Sequence, residues 1–224
     1  MTDSIGQKPY GALRSYGRIK SRPIKPRQAG LLETLLPSIA IDISAPVAVS
    51  GETWLEIGFG GGEHMAAQGG RHPEVTILGA EPFLNGVASA VRHVEEGALK
   101  NVRILHGDAR ELIALLPDNS IARVFVLFPD PWPKSRHHKR RIIQPEVLQD
   151  LARVLKPGGG LRFATDVAHY ADWALERVLA SGLFDWPAER PDDWRTPPAD
   201  HVTTRYEEKK LGDCAPVFLD FVRR

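Results

Sequence analysis

The chain has 224 residues, 42% of them hydrophobic and 25% charged, with a net charge of +1 and a single cysteine. That length suffices for one domain with a sizeable core, and one cysteine, Cys214, excludes an internal disulfide and a thiolate zinc cluster. No apolar run approaches the ~20 residues of a membrane span, and the polar N-terminus lacks the apolar region of a secretion signal, so a cytoplasmic setting is expected.

In chain order, residues 1–28 carry seven Lys or Arg against Asp3, a local charge of +6. The remainder is therefore about −5. Such a segment is either a solvated tail or an arm for nucleic acid phosphates. It is read as a flexible arm, with 29–224 as one domain. Residues 29–41 predict a short helix ending at Pro37. From residue 52 the pattern is regular. Apolar runs at 53–59, 75–81, 102–108, 122–128 and 161–166 predict strands. Between and after them, 61–70, 82–97, 109–116, 145–159 and 167–182 predict helices, the fourth opening with Pro145 and closing with Lys-Pro-Gly. The tail holds Pro187, Pro191, Pro197 and Pro198 and is read as irregular, with polar strand material near 202–206 and a last strand over 216–224. Short apolar strands alternating with helices predict an α/β fold, a parallel sheet covered on both faces.

In such sheets ligands bind beyond the carboxyl ends of the strands. Those ends carry Glu56, Gly58, Glu81, Asp108, Asp130 and Asp166. One acid after a strand is readily a helix cap, and Asp108 with Glu111 fits a capping box. Five are harder to read so, because crowded carboxylates repel. The stretch EIGFGGGEH resembles a dinucleotide fingerprint, but its third small position is Glu63, and Glu56 stands where a pyrophosphate would be repelled. S-adenosylmethionine has an ammonium and a sulfonium and no phosphate. The favoured reading has Gly58 and Gly60 bringing backbone close to the methionine part, Glu81 holding ribose hydroxyls and Asp108 facing adenine. A nicotinamide or flavin site and a bare tight turn remain alternatives.

The fourth strand runs into FPDPWPKSRHHKRR. Three prolines in five residues make a stiff corner that is neither helix nor central strand. Asp130 offers a carboxylate, Trp132 a flat face, and the run from Lys134 to Arg141 phosphate contacts. A nucleobase in RNA or DNA satisfies all three. Trp132 packing the loop on the sheet, and Asp166 capping the next helix, are the plainer alternatives. His137 and His138 lie among too much positive charge for a metal site, and no metal is expected.

Together EIGFGGG, HGDA, FPDPWPKSRHHKRR, ATD and TTRYE resemble the bacterial tRNA (guanine-N7)-methyltransferase family, from the basic arm to the C-terminus. The resemblance implies a Rossmann-like class I methyltransferase with a C-terminal antiparallel strand. It implies methyl transfer from S-adenosylmethionine to N7 of guanosine 46 in the tRNA variable loop. It places Glu56, Glu81, Asp108 and Asp130 at the methyl donor, with Asp130 catalytic. Lys134, Asp166, Thr204, Arg205, Tyr206 and Glu207 would bind the guanosine region, and Arg136, His137, His138, Lys139, Arg140 and Arg141 would contact the RNA. Guanine N7 has a free in-plane lone pair, so no strong general base is required; alignment and charge stabilisation suffice. The alternatives are a methyltransferase acting on an exocyclic base amine or on a protein, and a non-catalytic RNA-binding protein of this fold.

Overall fold

The computed structural model describes residues 23–224. Two short helices, α1 (Pro26–Thr34) and α2 (Leu36–Ile39), precede an alternating series. It runs β1 (Thr53–Ile57), α3 (Glu63–Arg71), β2 (Thr76–Ala80), α4 (Leu84–Glu96), β3 (Val102–Leu105), α5 (Ala109–Leu115) and β4 (Ile121–Leu127). After a 3-10 turn over Ser135–Arg140 come α6 (Pro145–Val154), β5 (Leu155–Thr165), α7 (Ala168–Ala180), β6 (Phe184–Asp185), α8 (Asp192–Arg195), α9 (Arg205–Glu208) and β7 (Val217–Arg223).

The sheet order is β3-β2-β1-β4-β5-β7-β6. Strands β1 to β5 pair in parallel, and β7 runs antiparallel to β5 and β6. The order reverses between β1 and β4, and a crevice at their carboxyl ends is the usual ligand position in such sheets. β1 is buried along its whole length, as expected of a strand covered on both faces, although it carries Thr53 and Glu56 among its apolar residues. Helix α6 shows the matching helical logic: Pro145 opens it, and Val147, Leu148, Leu151, Ala152 and Val154 bury one stripe. One core layer lies under α5, α6 and α7, the other under α1 to α4. On the α3–α4 side the segment 196–204 is held by charge against β4 and β5: Asp200 accepts from Arg162 at 2.6 Å and Arg123 at 3.0 Å, and Arg162 donates to Asp220 at 2.7 Å; Tyr206 of α9 packs into the same core layer.

Several local expectations are corrected. Residues 1–22 of the arm lie outside the described residues, but Pro26–Gln28 belong to α1, where Arg27 pairs with Glu95 at 2.7 Å on α4. Pro37 sits in the first turn of α2 and ends nothing, because a proline there needs no N–H partner. Helix α6 stops at Val154: Leu155 pairs with Ile121, and Pro157 and the left-handed Gly158 (φ 75°) then suit a bulged strand entry, not a helix end. No strand forms at 202–206. Thr204 and Glu207 make a reciprocal capping box, so the local hydrogen bonds close a helical turn.

Candidate active site

The glycine turn after β1 is held by Glu81, at the end of β2. Its two carboxylate oxygens accept from Gly60 N and Phe83 N, both at 2.8 Å. Gly58 and Gly60 have φ of 68° and 55°, where a side chain would strain the backbone, and open space lies where a Cβ would stand. A Cβ on Gly86 would strike the carbonyl of Gly60, so α4 and the turn approach each other closely. Burial raises the Glu81 pKa; the Phe83 and Gly60 amides pull it back, and the charges of Asp130 and Glu56 push it further up.

Glu56 faces inward. It is 3% exposed, and one oxygen accepts from His64 Nδ1 at 2.7 Å. Asp108 caps α5 by accepting from Arg110 N at 3.0 Å, and the Arg110 guanidinium binds it again at 2.6 Å. Burial would raise the Asp108 pKa, but these hydrogen bonds and the guanidinium charge leave it lowered. Asp108 thus caps α5 through Arg110 N, without the reciprocal box with Glu111 that the spacing suggested.

Asp130 is exposed at the end of β4. Bulky residues in the left-handed region stand on both sides of it, Phe128 at φ 50° and Trp132 at φ 45°. Such conformations cost on the order of 1–3 kcal/mol each and persist only where the surroundings enforce them. Asp130 acts electrostatically on Glu81, on Tyr170 and on Tyr206. Of the acids at the strand ends it alone acts on both Glu81 and Tyr206.

The other side is built from the segment after α8. Tyr206 lies with its ring 6.0 Å from that of Phe128, and its pKa is raised by burial and then by Asp166 and Asp130. Asp166, at the end of β5, is buried. Its carboxylate accepts from Gly212 N at 3.0 Å and its carbonyl from the amides of Asp213 and Cys214. A Cβ on Gly212 would strike Asp166, so the 209–214 loop closes tightly over it. Thr204 and Glu207 are committed to their capping box, and Glu207 also accepts from His201 at 2.8 Å. Arg205 reaches Glu63 at the start of α3, 3.1 Å away. The TTRYE segment thus bridges the glycine turn and the end of β5. Of its side chains, Tyr206 comes within reach of Asp130.

The basic loop divides in two. Lys134, Arg136 and Lys139 are exposed. Arg140 lies over the Trp132 ring at 4.9 Å, and His137 meets the same ring edge-on at 6.0 Å, so Trp132 packs within its own loop. His138 packs against His169 and Trp173. Burial and then neighbouring cations lower the pKa of both His137 and His138. Arg141, expected among the RNA contacts, is instead 2% exposed. Its guanidinium lies 4.5 Å from the Tyr170 ring and 4.8 Å from that of Trp173, while Nε donates to Pro131 O at 2.8 Å. It fastens the proline corner to α7 and presents no charge to solvent.

Sequence reasoning missed His64, Gln68 and Asp200. Gln68 Nε2 lies 3.0 Å from His64 Nε2 and donates to Asp200 O at 2.7 Å. No sequence signal joins residues 132 positions apart, and His64 reads as an ordinary helix residue. Among the described residues no group of three His, Cys, Asp or Glu is placed to hold a metal ion. Nor is any helix among them long and apolar enough to cross a membrane.

Comparison with known proteins is consistent with this geometry. The family model described as "Putative methyltransferase" matches residues 50–218. A tRNA (guanine-N(7)-)-methyltransferase of Caulobacter sp. (strain K31) is 65% identical over 97% of this chain and 98% of its own. Proteins of the same name from Hyphomonas neptunium and Rhodospirillum rubrum are 53% and 44% identical, covering 93% and 97% of this chain and 99% and 91% of theirs. Among solved structures, an rRNA methylase from Streptococcus thermophilus superposes with a TM-score of 0.53 at 13% identity, covering 91% of this chain and 97% of that one. A precorrin-6y C5,15-methyltransferase from Geobacter metallireducens gives 0.52 at 16% identity, covering 81% and 86%. These two likenesses establish the fold: a Rossmann-like class I methyltransferase sheet.

Proposed function

The chain belongs to the tRNA (guanine-N7)-methyltransferase family, and from that premise we propose that it methylates N7 of guanosine 46 in the tRNA variable loop, using S-adenosylmethionine. What supports the reading is a glycine turn braced by Glu81, together with a strained corner that carries the exposed Asp130 and meets Tyr206 through Phe128.

The donor fits the chemistry of the residues present. Gly58 and Gly60 leave bare backbone facing open space. Acids, not cations, end β1 and β2, which suits a cationic, phosphate-free ligand and opposes a pyrophosphate. When bound, S-adenosylmethionine supplies a methyl group on a sulfonium. Glu81 spends one lone pair of each oxygen on the glycine turn and Phe83, leaving others for ribose hydroxyls. Asp108 holds the adenine side, and Glu56 lines the donor side from β1.

Asp130 is the proposed catalytic residue. Its carboxylate accepts from the N–H edge of guanine and offsets the positive charge that methylation places on the base. No side chain has to remove a proton before N7 attacks. Asp166, Lys134 and the segment Thr204-Arg205-Tyr206-Glu207 form the acceptor side. Tyr206 touches the base; Thr204 and Glu207 shape the turn that presents it. The exposed Lys134, Arg136 and Lys139, with Arg140, supply phosphate attraction, aided by a basic arm preceding the α/β domain. A tRNA substrate suits a cytoplasmic setting.

The test is incubation with labelled S-adenosylmethionine and unmodified tRNA transcript, followed by strand scission specific for N7-methylguanosine. A cut at guanosine 46 is expected. Label without a cut would move the reaction to another atom, and no label would leave a protein acceptor or a binding role.

A further inference from the structure

Between the donor and acceptor sides runs a buried chain of hydrogen bonds. Glu56, His64 and Gln68 are each nine-tenths or more buried. The contacts are Glu56 Oε2 to His64 Nδ1 at 2.7 Å, His64 Nε2 to Gln68 Nε2 at 3.0 Å, and Gln68 Nε2 to Asp200 O at 2.7 Å. Its polarity is fixed from the far end. The Asp200 carbonyl can only accept, so the Gln68 amide must present its NH2 group there. The second proton of that NH2 points at His64 Nε2, which must therefore be the bare nitrogen. His64 is then the Nδ1–H tautomer and donates to Glu56. Protonating His64 or flipping Gln68 would set donor against donor or acceptor against acceptor in a buried space, at the cost of an unsatisfied polar group. The chain therefore has one arrangement in which each of its contacts pairs a donor with an acceptor, with Gln68 Oε1 left buried and unpaired beside it.

Its two ends differ in kind. Glu56 follows the β1 run into the glycine turn and acts electrostatically on Glu81. Asp200 anchors the 196–204 segment, which leads in four residues to Thr204 and α9. There His201 holds Glu207 and packs on Phe218 at 4.8 Å. Arg71 also donates to Asp200 O at 2.7 Å, so removing Gln68 leaves the segment attached.

We propose that His64 and Gln68 are positioning residues that couple the methyl-donor side of the crevice to the acceptor segment 200–208. Donor binding that fixes Glu56 then fixes the placement of Tyr206, and tRNA on the acceptor wall tightens the donor in return, as linkage requires. The inference rests on the functional reading above, since it takes the two ends to be donor and tRNA sites.

The test is calorimetric titration of S-adenosylhomocysteine into the protein, with and without saturating unmodified tRNA transcript. In the parent protein, transcript is expected to tighten S-adenosylhomocysteine by about fivefold or more. Gln68→Met keeps the side-chain length but has no donor; in it the ratio falls to near one, while the affinity of each ligand alone changes less than the ratio does. His64→Asn cuts the chain at another point, retaining an amide N–H in the Nδ1 position for Glu56, and loses the ratio likewise. It answers the question should Gln68→Met fail to fold. A parent ratio of one, or a folded variant with the parent ratio, overturns the coupling. A protein that binds S-adenosylhomocysteine but no transcript would instead overturn the functional reading.

Discussion

Glu81→Gln isolates the role of the β2 carboxylate with almost no change of shape. Glu81 accepts one backbone N–H on each oxygen, from Gly60 and Phe83. A carboxamide has one accepting oxygen, so its NH2 must face either the Gly60 or the Phe83 amide. One charge-assisted hydrogen bond is lost and a donor meets a donor. The neutral carboxamide also gives a ribose hydroxyl no ionised oxygen to donate to, and hydrogen bonds to charged groups contribute about 1.5–3 kcal/mol, or roughly 10- to 150-fold in a binding constant. Stability should move little, because burial already penalises the ionised Glu81 and the substitution relieves that cost. Calorimetric titration with S-adenosylhomocysteine should therefore show at least about tenfold weaker binding, with the melting temperature within a few degrees of the parent. Undiminished donor affinity would refute the argument. So would a loss matched by an equal loss of stability, since Glu81 would then serve the fold alone.

Asp130→Asn should lower methyl transfer by at least about a hundredfold while transcript binding, measured by filter retention, survives; equal loss of both would refute its placement. Changing Lys134, Arg136 and Lys139 together to Ala should weaken transcript binding and reduce the slope of log affinity against log salt by about 0.9 per lost phosphate contact. An unchanged slope would remove the loop from the RNA surface. Arg141→Ala should behave differently, leaving that slope alone but costing about 2 kcal/mol through lost packing on Tyr170 and Trp173, which lowers the melting temperature by about 4–8 °C. A flattened slope at unchanged melting temperature would mean that Arg141 faces RNA. For Asp200, hydrogen bonds and charge from Arg162, with Arg123, outweigh burial and hold the folded pKa below its ordinary 3.8. Its contribution is present above that value and is lost as pH falls through the lower folded pKa. Asp200→Asn should therefore be less stable at pH 7, with a shallower loss on acidification below about pH 4. A denaturation series showing the same acid slope in both proteins would contradict this.

The regular part of the fold was legible because each strand from 53 to 166 is a short apolar run whose end is marked by Gly, Pro or an acid. Local rules failed where a contact distant in sequence decides. Leu155 joins β5 because Ile121 waits beside it. The two-residue β6 exists because Arg223 and Val222 of β7 give it partners. At the site, residue types were readable and their employment was not. Glu81, Asp108 and Asp130 stand at the strand ends where the pattern puts them. Charge alone could not tell that Arg141 would turn inward onto two rings while Lys134 and Lys139 stay in water. The engagement of Glu56 depends on His64, which marks no motif.

The place of β7 has a consequence for synthesis. Translated after every other strand, it slots between β5 and β6, bringing Asp220 to Arg162 and Phe218 to His201. Until it arrives, the wall carrying Tyr206 lacks the Phe218 face behind His201 and the Asp220 partner of Arg162. The side built on the glycine turn, by contrast, uses β1 to β4 and the turns that follow them. A chain emerging from the ribosome thus presents the strands of the glycine-turn side first and completes the Tyr206 wall last.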